Sequence, residues 1–228
     1  MIYMNANIRL LLNAIIKFML GLFIVCLLLF LPAGTIYYWN AWLFIALLFI
    51  PMFIFGIVLF FKDKDLLKKR LNMKEKQNNQ KTIIILSAIL FILGFIIAGL
   101  DFKYNWSNIH ISITTISCII FVLSYILYAE IIRENKYLSR TIEIQENQKV
   151  VDTGLYSIVR HPMYMAVTLL FLSIPLILGS FISFILFLFF PLLLTRRIKY
   201  EEKFLEKELQ GYTEYMKKVK YKMIPFIW

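Results

Sequence analysis

Long stretches without a charged residue constrain this chain more than any other feature of its sequence. Between Lys17 and Lys62 there are 44 residues without an Asp, Glu, Lys or Arg, and three more such stretches follow. They are Thr82–Leu100 (19 residues), Tyr104–Ala129 (26 residues) and Met163–Thr195 (33 residues). A helix needs about 20 mainly apolar residues to cross a bilayer. The chain is therefore predicted to be a polytopic membrane protein, and not a cytosolic enzyme, a disordered chain or a simple secreted domain.

The last charge-free stretch is too long for a single span. As one helix it would measure about 50 Å, whereas the hydrocarbon core of a bilayer is about 30 Å thick. Pro175 and Gly179 mark a turn near its middle. The sequence thus predicts an all-α integral membrane protein with about six transmembrane segments, the last two a helical hairpin, followed by a cytoplasmic C-terminal helix. The predicted spans are Phe18–Leu31, Ala41–Phe61, Thr82–Leu100, Ile109–Ala129 and two legs within Met163–Thr195.

The distribution of positive charge predicts the orientation. Of the 25 Lys and Arg residues, 24 lie in alternate segments between the spans. Because cytoplasmic loops carry the excess of Lys and Arg, both termini and the three basic segments are expected in the cytoplasm, in a chain that spans the cell membrane. The net charge of +11 then reflects orientation, and no nucleic-acid partner is expected. Cys26 and Cys118 fall inside spans, and no metal-ligand spacing is present, so no metal site is expected.

We divide the chain into a four-span membrane scaffold, residues 1–129, and a catalytic region, residues 130–228. Within the scaffold, the basic segment Lys62–Lys81 is interpreted as a topology-setting loop that lies against anionic headgroups. The polar segment Glu130–Asp152 is too long for a simple connector, and it leads directly into the residues that precede the hairpin.

Two polar clusters bracket the apolar hairpin. A hairpin brings its ends together, so the clusters are expected to meet at its cytoplasmic mouth. Arg or His can hold a carboxylate and Glu can hold an ammonium group, which suits a zwitterionic cofactor. A purely structural interpretation also stands, with the arginines as snorkelling interface anchors and the glutamates as solvated helix charges. The clusters are Arg160-His161-Pro162-x-Tyr164 and Arg197-x-x-x-Glu201-Glu202.

A longer series of motifs covers Val150–Trp228, about a third of the chain. It consists of Gly154-x-Tyr156-x-x-x-Arg160-His161-Pro162-x-Tyr164, the hairpin, Arg197-x-x-x-Glu201-Glu202-x-x-Leu205, Gly211-Tyr212-x-x-Tyr215 and Ile224-Pro225. The series resembles the isoprenylcysteine carboxyl methyltransferase family, which is related to the membrane phospholipid methyltransferases. Members of that family are polytopic helical enzymes that bind S-adenosylmethionine at the cytoplasmic face and admit a lipidic acceptor from the bilayer.

The resemblance implies roles for individual residues. It implies that Arg197 orients the acceptor and that Glu201 acts with it in catalysis. The implied cofactor-binding residues are Gly154, Tyr156, Arg160, His161, Tyr164 and Glu202, with Glu202 or Glu201 at the amino group of the cofactor. The sequence departs from the pattern of the family at two points, and both bear on the identity of the acceptor and not on that of the cofactor. The family's usual Phe-Gly-x-x-Tyr is here Gln210-Gly211-Tyr212, and the first four spans carry no matching signature.

The predicted function is therefore methyl transfer from S-adenosylmethionine to a lipidic or isoprenoid-type small acceptor, in contact with membrane lipids. A nucleophile attacks the sulfonium methyl group in line, and alignment of the reactants is worth up to about 7–11 kcal/mol in favourable intramolecular cases. A carboxylate acceptor would need a cation such as Arg197 to position it. A thiol, hydroxyl or amine acceptor would need a base, and His161 or a glutamate is available.

Two other functions remain open on the sequence. The first is a nicotinamide-dependent membrane sterol or enone reductase, a class with a similar C-terminal hairpin and a basic, tyrosine-rich tail. The second is a transporter or scaffold without enzymatic activity. Transport is disfavoured because no ionisable residue lies near the middle of a predicted span, where coupling sites are usually placed.

Overall fold

The computed structural model describes residues 6–71, 78–138 and 144–228, and the regular structure within these ranges is helical. A 3-10 turn, Gly154–Ser157, precedes the hairpin. Helices α7 and α8 follow one another across Leu188 and form one long apolar helix, Phe181–Glu208. The helices are α1 (Ala6–Ala33), α2 (Trp39–Lys62), α3 (Lys64–Leu71), α4 (Asn78–Tyr104), α5 (Ile111–Glu134), α6 (Pro162–Ile177), α7 (Phe181–Phe187), α8 (Phe189–Glu208) and α9 (Tyr212–Lys218).

Within the described ranges, five helices are long and apolar enough to cross a bilayer, and α6 is a shorter apolar helix. The prediction of an all-α membrane protein with six apolar segments, the last two a hairpin, is confirmed. The helix bounds are wider than the charge-free stretches. Helix α1 begins at Ala6 and includes Arg9 and Lys17, whereas the predicted span began at Phe18. The reason is that Arg and Lys are good helix formers, so they end an apolar run without ending the helix.

Aromatic side chains fill the centre of the bundle. Phe44, Phe121 and Phe187 are fully buried in one core cluster that joins the scaffold helices to the hairpin. Helix α4 lies close against α1 at Gly99, where a Cβ atom would come within 2.6 Å of the main-chain oxygen of Leu29. Helix α6 packs along α5. The hairpin is therefore an integrated part of the bundle.

Buried hydrogen bonds hold the turn of the hairpin. Tyr38, just before α2, donates to the carbonyl of Leu178, just after α6, over 2.5 Å, and Asn40 donates to the carbonyl of Ile177 over 2.7 Å. The Ser180 hydroxyl donates to a carboxylate oxygen of Asp101 over 2.5 Å. Asp101 is 1% exposed and also accepts from the main-chain N–H of Ser107 over 2.7 Å. Because these polar groups satisfy one another inside the protein, the turn is fixed against α2 and α4.

The opposite end of the bundle holds α3 and both polar clusters. Leu66 and Leu67 of α3 pack against apolar side chains of α1, α2 and α5. The Lys17 ammonium donates to the main-chain oxygen of Leu71 over 2.6 Å. The basic segment predicted as a topology-setting loop thus begins with a packed helix, and its residues 72–77 lie outside the described ranges. Residues 139–143 of the polar segment before the hairpin also lie outside them.

Candidate functional site

The residues before the hairpin are held by main-chain hydrogen bonds to the C-terminal segment. The N–H of Arg160 donates to the carbonyl of Tyr221 over 3.0 Å, and the N–H of His161 donates to that of Lys222 over 2.7 Å. Pro162 then occupies the first turn of α6, where its missing N–H costs no hydrogen bond. The side chains of Arg160 and His161 consequently point into the protein and are 8% and 5% exposed.

The first cluster is centred on Glu202 of α8. One carboxylate oxygen accepts from Nε of Arg160 over 2.7 Å and lies 3.3 Å from Nε2 of His161. The other lies 2.6 Å from the ammonium of Lys222. A buried carboxylate requires such compensation, because an unpaired charge in the interior is strongly destabilising. Arg160 also donates to two carbonyls of the segment after α9, over 2.6 and 3.0 Å, so much of its hydrogen-bonding capacity is used within the protein.

The second cluster joins the start of α6 to the preceding turn of α8. The Tyr164 hydroxyl donates to Oε2 of Glu201 over 2.5 Å. The same hydroxyl oxygen accepts from Nε of Arg197 over 2.9 Å. Arg197 and Glu201 are four residues apart, which places them on one face of the helix. Arg197 therefore orients the phenol of Tyr164, and that phenol aims its proton at Glu201.

The two adjacent glutamates of α8 face two different cavities. Glu202 borders a cavity of about 520 Å³, within the range of roughly 300–1,000 Å³ that is usual for small-molecule sites. Its rim is basic and includes Arg196, Lys199 and Lys203. Glu201 borders a smaller cavity of about 100 Å³, together with Tyr164, Arg197, Tyr212 and residues of the segment between α5 and α6.

Gly154 and Tyr156 lie in the 3-10 turn, against the end of α5. The N–H of Leu155 donates to the Glu134 carboxylate over 3.0 Å. Gly154 has φ +53°, and a Cβ atom there would overlap that carboxylate. The main-chain oxygen of Tyr156 accepts from the Tyr215 hydroxyl over 2.7 Å. The structure thus joins the turn to Tyr215, which lines the smaller cavity.

Three phenols near the site remain protonated. Burial raises the pKa of Tyr156, Tyr212 and Tyr215 well above the ordinary value. They are therefore hydrogen-bond donors and not bases near neutral pH. Within the described ranges, the hydroxyls of Tyr156 and Tyr212 are buried without a hydrogen-bond partner. Buried polar groups are almost always partnered, so these two hydroxyls are exceptions within the described ranges.

Sequence reasoning missed Lys222 as a member of the site. Lys222 was one of several cations in the tail, and nothing in its neighbourhood distinguishes it from Lys217, Lys218 or Lys220. The pairing of Arg160 and His161 with the carbonyls of residues 221 and 222 brings it to Glu202. In the part of the chain that the structure describes, no three His, Cys, Asp or Glu side chains are grouped as a metal site.

A comparison with protein families matches residues 112–211 to the model described as phospholipid methyltransferase. The match begins in α5, continues through the hairpin and ends just after α8. It contains every residue predicted to bind the cofactor or act on the acceptor, and it leaves α1 to α4 outside. The resemblance to the related membrane methyltransferases is thereby confirmed. No curated protein matches the chain.

Proposed function

We propose that this protein transfers a methyl group from S-adenosylmethionine to a lipidic or isoprenoid-type small acceptor, through the region, residues 112–211, that matches the phospholipid methyltransferase model. The family match and the apolar helices together support a multi-pass membrane methyltransferase. What we propose beyond this is the identity of the cofactor, the class of the acceptor and the residues that bind each of them.

The observation that carries the proposal is the ion pair at Glu202. Its carboxylate already holds an alkylammonium, that of Lys222, at 2.6 Å. The amino acid part of S-adenosylmethionine ends in the same chemical group, so the site suits it. Arg196, Lys199 and Lys203 offer cations for the accompanying carboxylate on the rim of the same cavity. The residues present therefore fit a zwitterionic cofactor.

In this proposal Glu202 binds the ammonium of the cofactor, while Arg160 and His161 hold Glu202 in place. Tyr164 adjoins both clusters, since its ring lies 5.7 Å from that of His161. The bound cofactor supplies an electrophilic methyl group. Gly154 and Tyr156 contribute to the cofactor site indirectly, through the turn that they form against α5. Their direct contact with the cofactor stays a prediction.

On the acceptor side, Arg197 and Glu201 act through opposite charges. Arg197 orients an anionic acceptor, whereas Glu201 takes the proton of an acceptor that must lose one. Tyr164 bridges the two and keeps both side chains at the smaller cavity. The apolar walls of the hairpin exclude water from the reacting groups. We place this end of the bundle in the cytoplasm because it carries nearly all of the positive charge.

Titration calorimetry on the detergent-purified full chain tests the cofactor. Heat with S-adenosylhomocysteine and none with NADPH is expected, and the reverse result would instead favour a reductase. Glu202→Gln should weaken the binding of S-adenosylhomocysteine at least tenfold. Glu206→Gln is a matched control, because Glu206 borders the same cavity but is exposed. Transfer of labelled methyl groups to a membrane lipid extract then identifies the acceptor.

A further inference from the structure

Arg70 of α3 is a partly satisfied cation at the junction between the scaffold and the methyltransferase domain. One terminal nitrogen donates to the hydroxyl of Tyr128 over 2.7 Å, and the guanidinium carbon lies 5.4 Å from the centre of the Tyr128 ring. The other two nitrogens, Nε and NH2, are buried and have no hydrogen-bond partner within the described ranges. Arg70 therefore has two unused donors in the interior.

Tyr156 supplies a third unused donor in the same region. Its side chain belongs to a small buried cluster against which Tyr128, the partner of Arg70, also packs, so the two side chains lie in one packed region. Tyr156 is 7% exposed, and its hydroxyl lacks a partner within the described ranges. Burial is the main influence on the pKa of Tyr156 and raises it, as do the carboxylates of Glu201 and Glu134, whereas the side chain of Asn135 and the positive charge of Arg70 lower it. The lowering by Asn135 is that of a donor to the hydroxyl oxygen, so the proton of the hydroxyl stays without an acceptor within the described ranges.

This arrangement is costly unless an anion completes it. A buried charge with unmade hydrogen bonds is destabilising, and apolar side chains offer it no compensation. A guanidinium presents its donors as a rigid planar fork that matches the two oxygens of a carboxylate or phosphate. A neutral phenol adds one more donor. Together these groups have the chemistry of an oxyanion site and not that of a cation site.

We propose that Arg70 and Tyr156 form an oxyanion-binding subsite, which takes a carboxylate or phosphate group of a ligand. Asn135 and Leu138 line the smaller cavity, and Leu138 also packs in the cluster around Tyr156. The subsite therefore lies directly behind one wall of that cavity. Two sources share the chemistry: the carboxylate of S-adenosylmethionine, which would then bind here in place of the rim cations of the larger cavity, and the phosphate of a lipid headgroup. The subsite itself does not depend on methyl transfer.

The first experiment compares thermal unfolding of the full chain in detergent with inorganic phosphate and with chloride at equal ionic strength. Phosphate should raise the melting temperature of the wild type by about 2–4 °C when it is several-fold above its Kd. Arg70→Gln and Tyr156→Phe should each lose this shift. Lys68→Gln should keep it, because Lys68 lies on the same helix, is exposed and pairs with Asp65.

The second experiment separates the two sources. If the cofactor carboxylate occupies the subsite, Arg70→Gln weakens the binding of S-adenosylhomocysteine at least tenfold, and phosphate competes with that ligand. If a lipid phosphate occupies it, Arg70→Gln leaves this affinity unchanged. In that case vesicles of phosphatidylglycerol stabilise the wild type more than the variant.

Loss of the phosphate shift in Lys68→Gln, or its persistence in both Arg70→Gln and Tyr156→Phe, would overturn the subsite and leave only a general charge effect. Where Arg70→Gln fails to fold, Arg70→Lys keeps the charge without the fork. Retention of the full shift in both Arg70→Lys and Tyr156→Phe would then reject the proposal.

Discussion

The ammonium of Lys222 lies 2.6 Å from a carboxylate oxygen of Glu202, although α9 separates the two residues in the sequence. The Lys222 side chain is 26% exposed and that of Glu202 is 8% exposed, so the lysine covers the solvent side of a buried acid. The same ammonium lies 5.6 Å from the centre of the Trp228 ring. In the proposed function this contact competes directly with the ammonium of the cofactor.

Lys222→Met should therefore strengthen the binding of S-adenosylhomocysteine, by up to about tenfold, which corresponds to ~1.4 kcal/mol. The reason is that Glu202 then has only Arg160 and His161 as partners and is free for an external ammonium. Calorimetric affinities of the two proteins provide the measurement. Lys220→Met, which removes an exposed neighbouring lysine, should change nothing. Weaker binding in Lys222→Met would show that the lysine positions Glu202 for the ligand.

His161→Ala should abolish measurable binding of S-adenosylhomocysteine while the protein is still expressed and folded. His161 is 5% exposed and its ring lies beside Glu202 and Tyr164, so its loss removes a polar partner of Glu202 and a ring that packs beside Tyr164. His110→Ala is the matched control, because His110 is exposed and caps α5 at the other end of the bundle. Undiminished affinity in His161→Ala would reject a cofactor role for this residue.

Arg197→Ala and Tyr164→Phe should lower turnover of the acceptor more than affinity for the cofactor. Both variants break the chain of hydrogen bonds that runs from Arg197 through Tyr164 to Glu201. Because the three groups act as a unit, we expect the effects to be non-additive, with a coupling of about 0.5–3 kcal/mol in a double-mutant cycle. Steady-state kinetics and calorimetry on the two single variants and the double variant give this value. Equal losses of turnover and cofactor affinity would indicate a shared structural contact.

Ser180→Ala should destabilise the fold by roughly 1–3 kcal/mol. Asp101 would lose one of its hydrogen bonds at a site that is 1% exposed, and the turn of the hairpin would lose a tie to α4. The melting temperature in detergent measures the effect. Thr115→Ala removes an exposed hydroxyl that bonds only within α5. A similar loss in Thr115→Ala would mean that the hairpin turn has no special role.

Gly154→Ala should destabilise the protein through two additive causes. A Cβ atom would overlap the Glu134 carboxylate, and the left-handed backbone, with φ +53°, costs roughly 1–2 kcal/mol for an L-residue. Glu134→Ala by itself loses the hydrogen bond from the N–H of Leu155, so the double variant should differ from Glu134→Ala by the backbone cost alone. Melting temperatures of the three variants separate these causes. If Gly154→Ala melts like the wild type, the turn is not held as the structure shows.

Much of the architecture is predictable from the sequence, because each span of a bilayer requires a continuous run of apolar residues of a certain length. The charge-free stretch Met163–Thr195 exceeds the length of one span, and Pro175 with Gly179 indicates its turn. The structure confirms the hairpin. Hydropathy does not predict where α1 starts, because it registers Arg9 and Lys17 as the end of a span although the helix passes through them.

The sequence by itself determined the membrane class, the order of the helices and the meeting of the two polar clusters, because hydropathy and spacing along the chain are sufficient for these. Only the tertiary structure decided which group each acid faces. Glu201 and Glu202 are neighbours in the sequence, yet one pairs with Tyr164 and the other with Arg160 and Lys222. The tertiary structure likewise places Arg70 beside Tyr128, although Arg70 belongs to a segment that the sequence predicts as a topology-setting loop. These contacts depend on the packing of helices and on the return of the C-terminal segment, and such long-range pairing is not encoded in any local pattern.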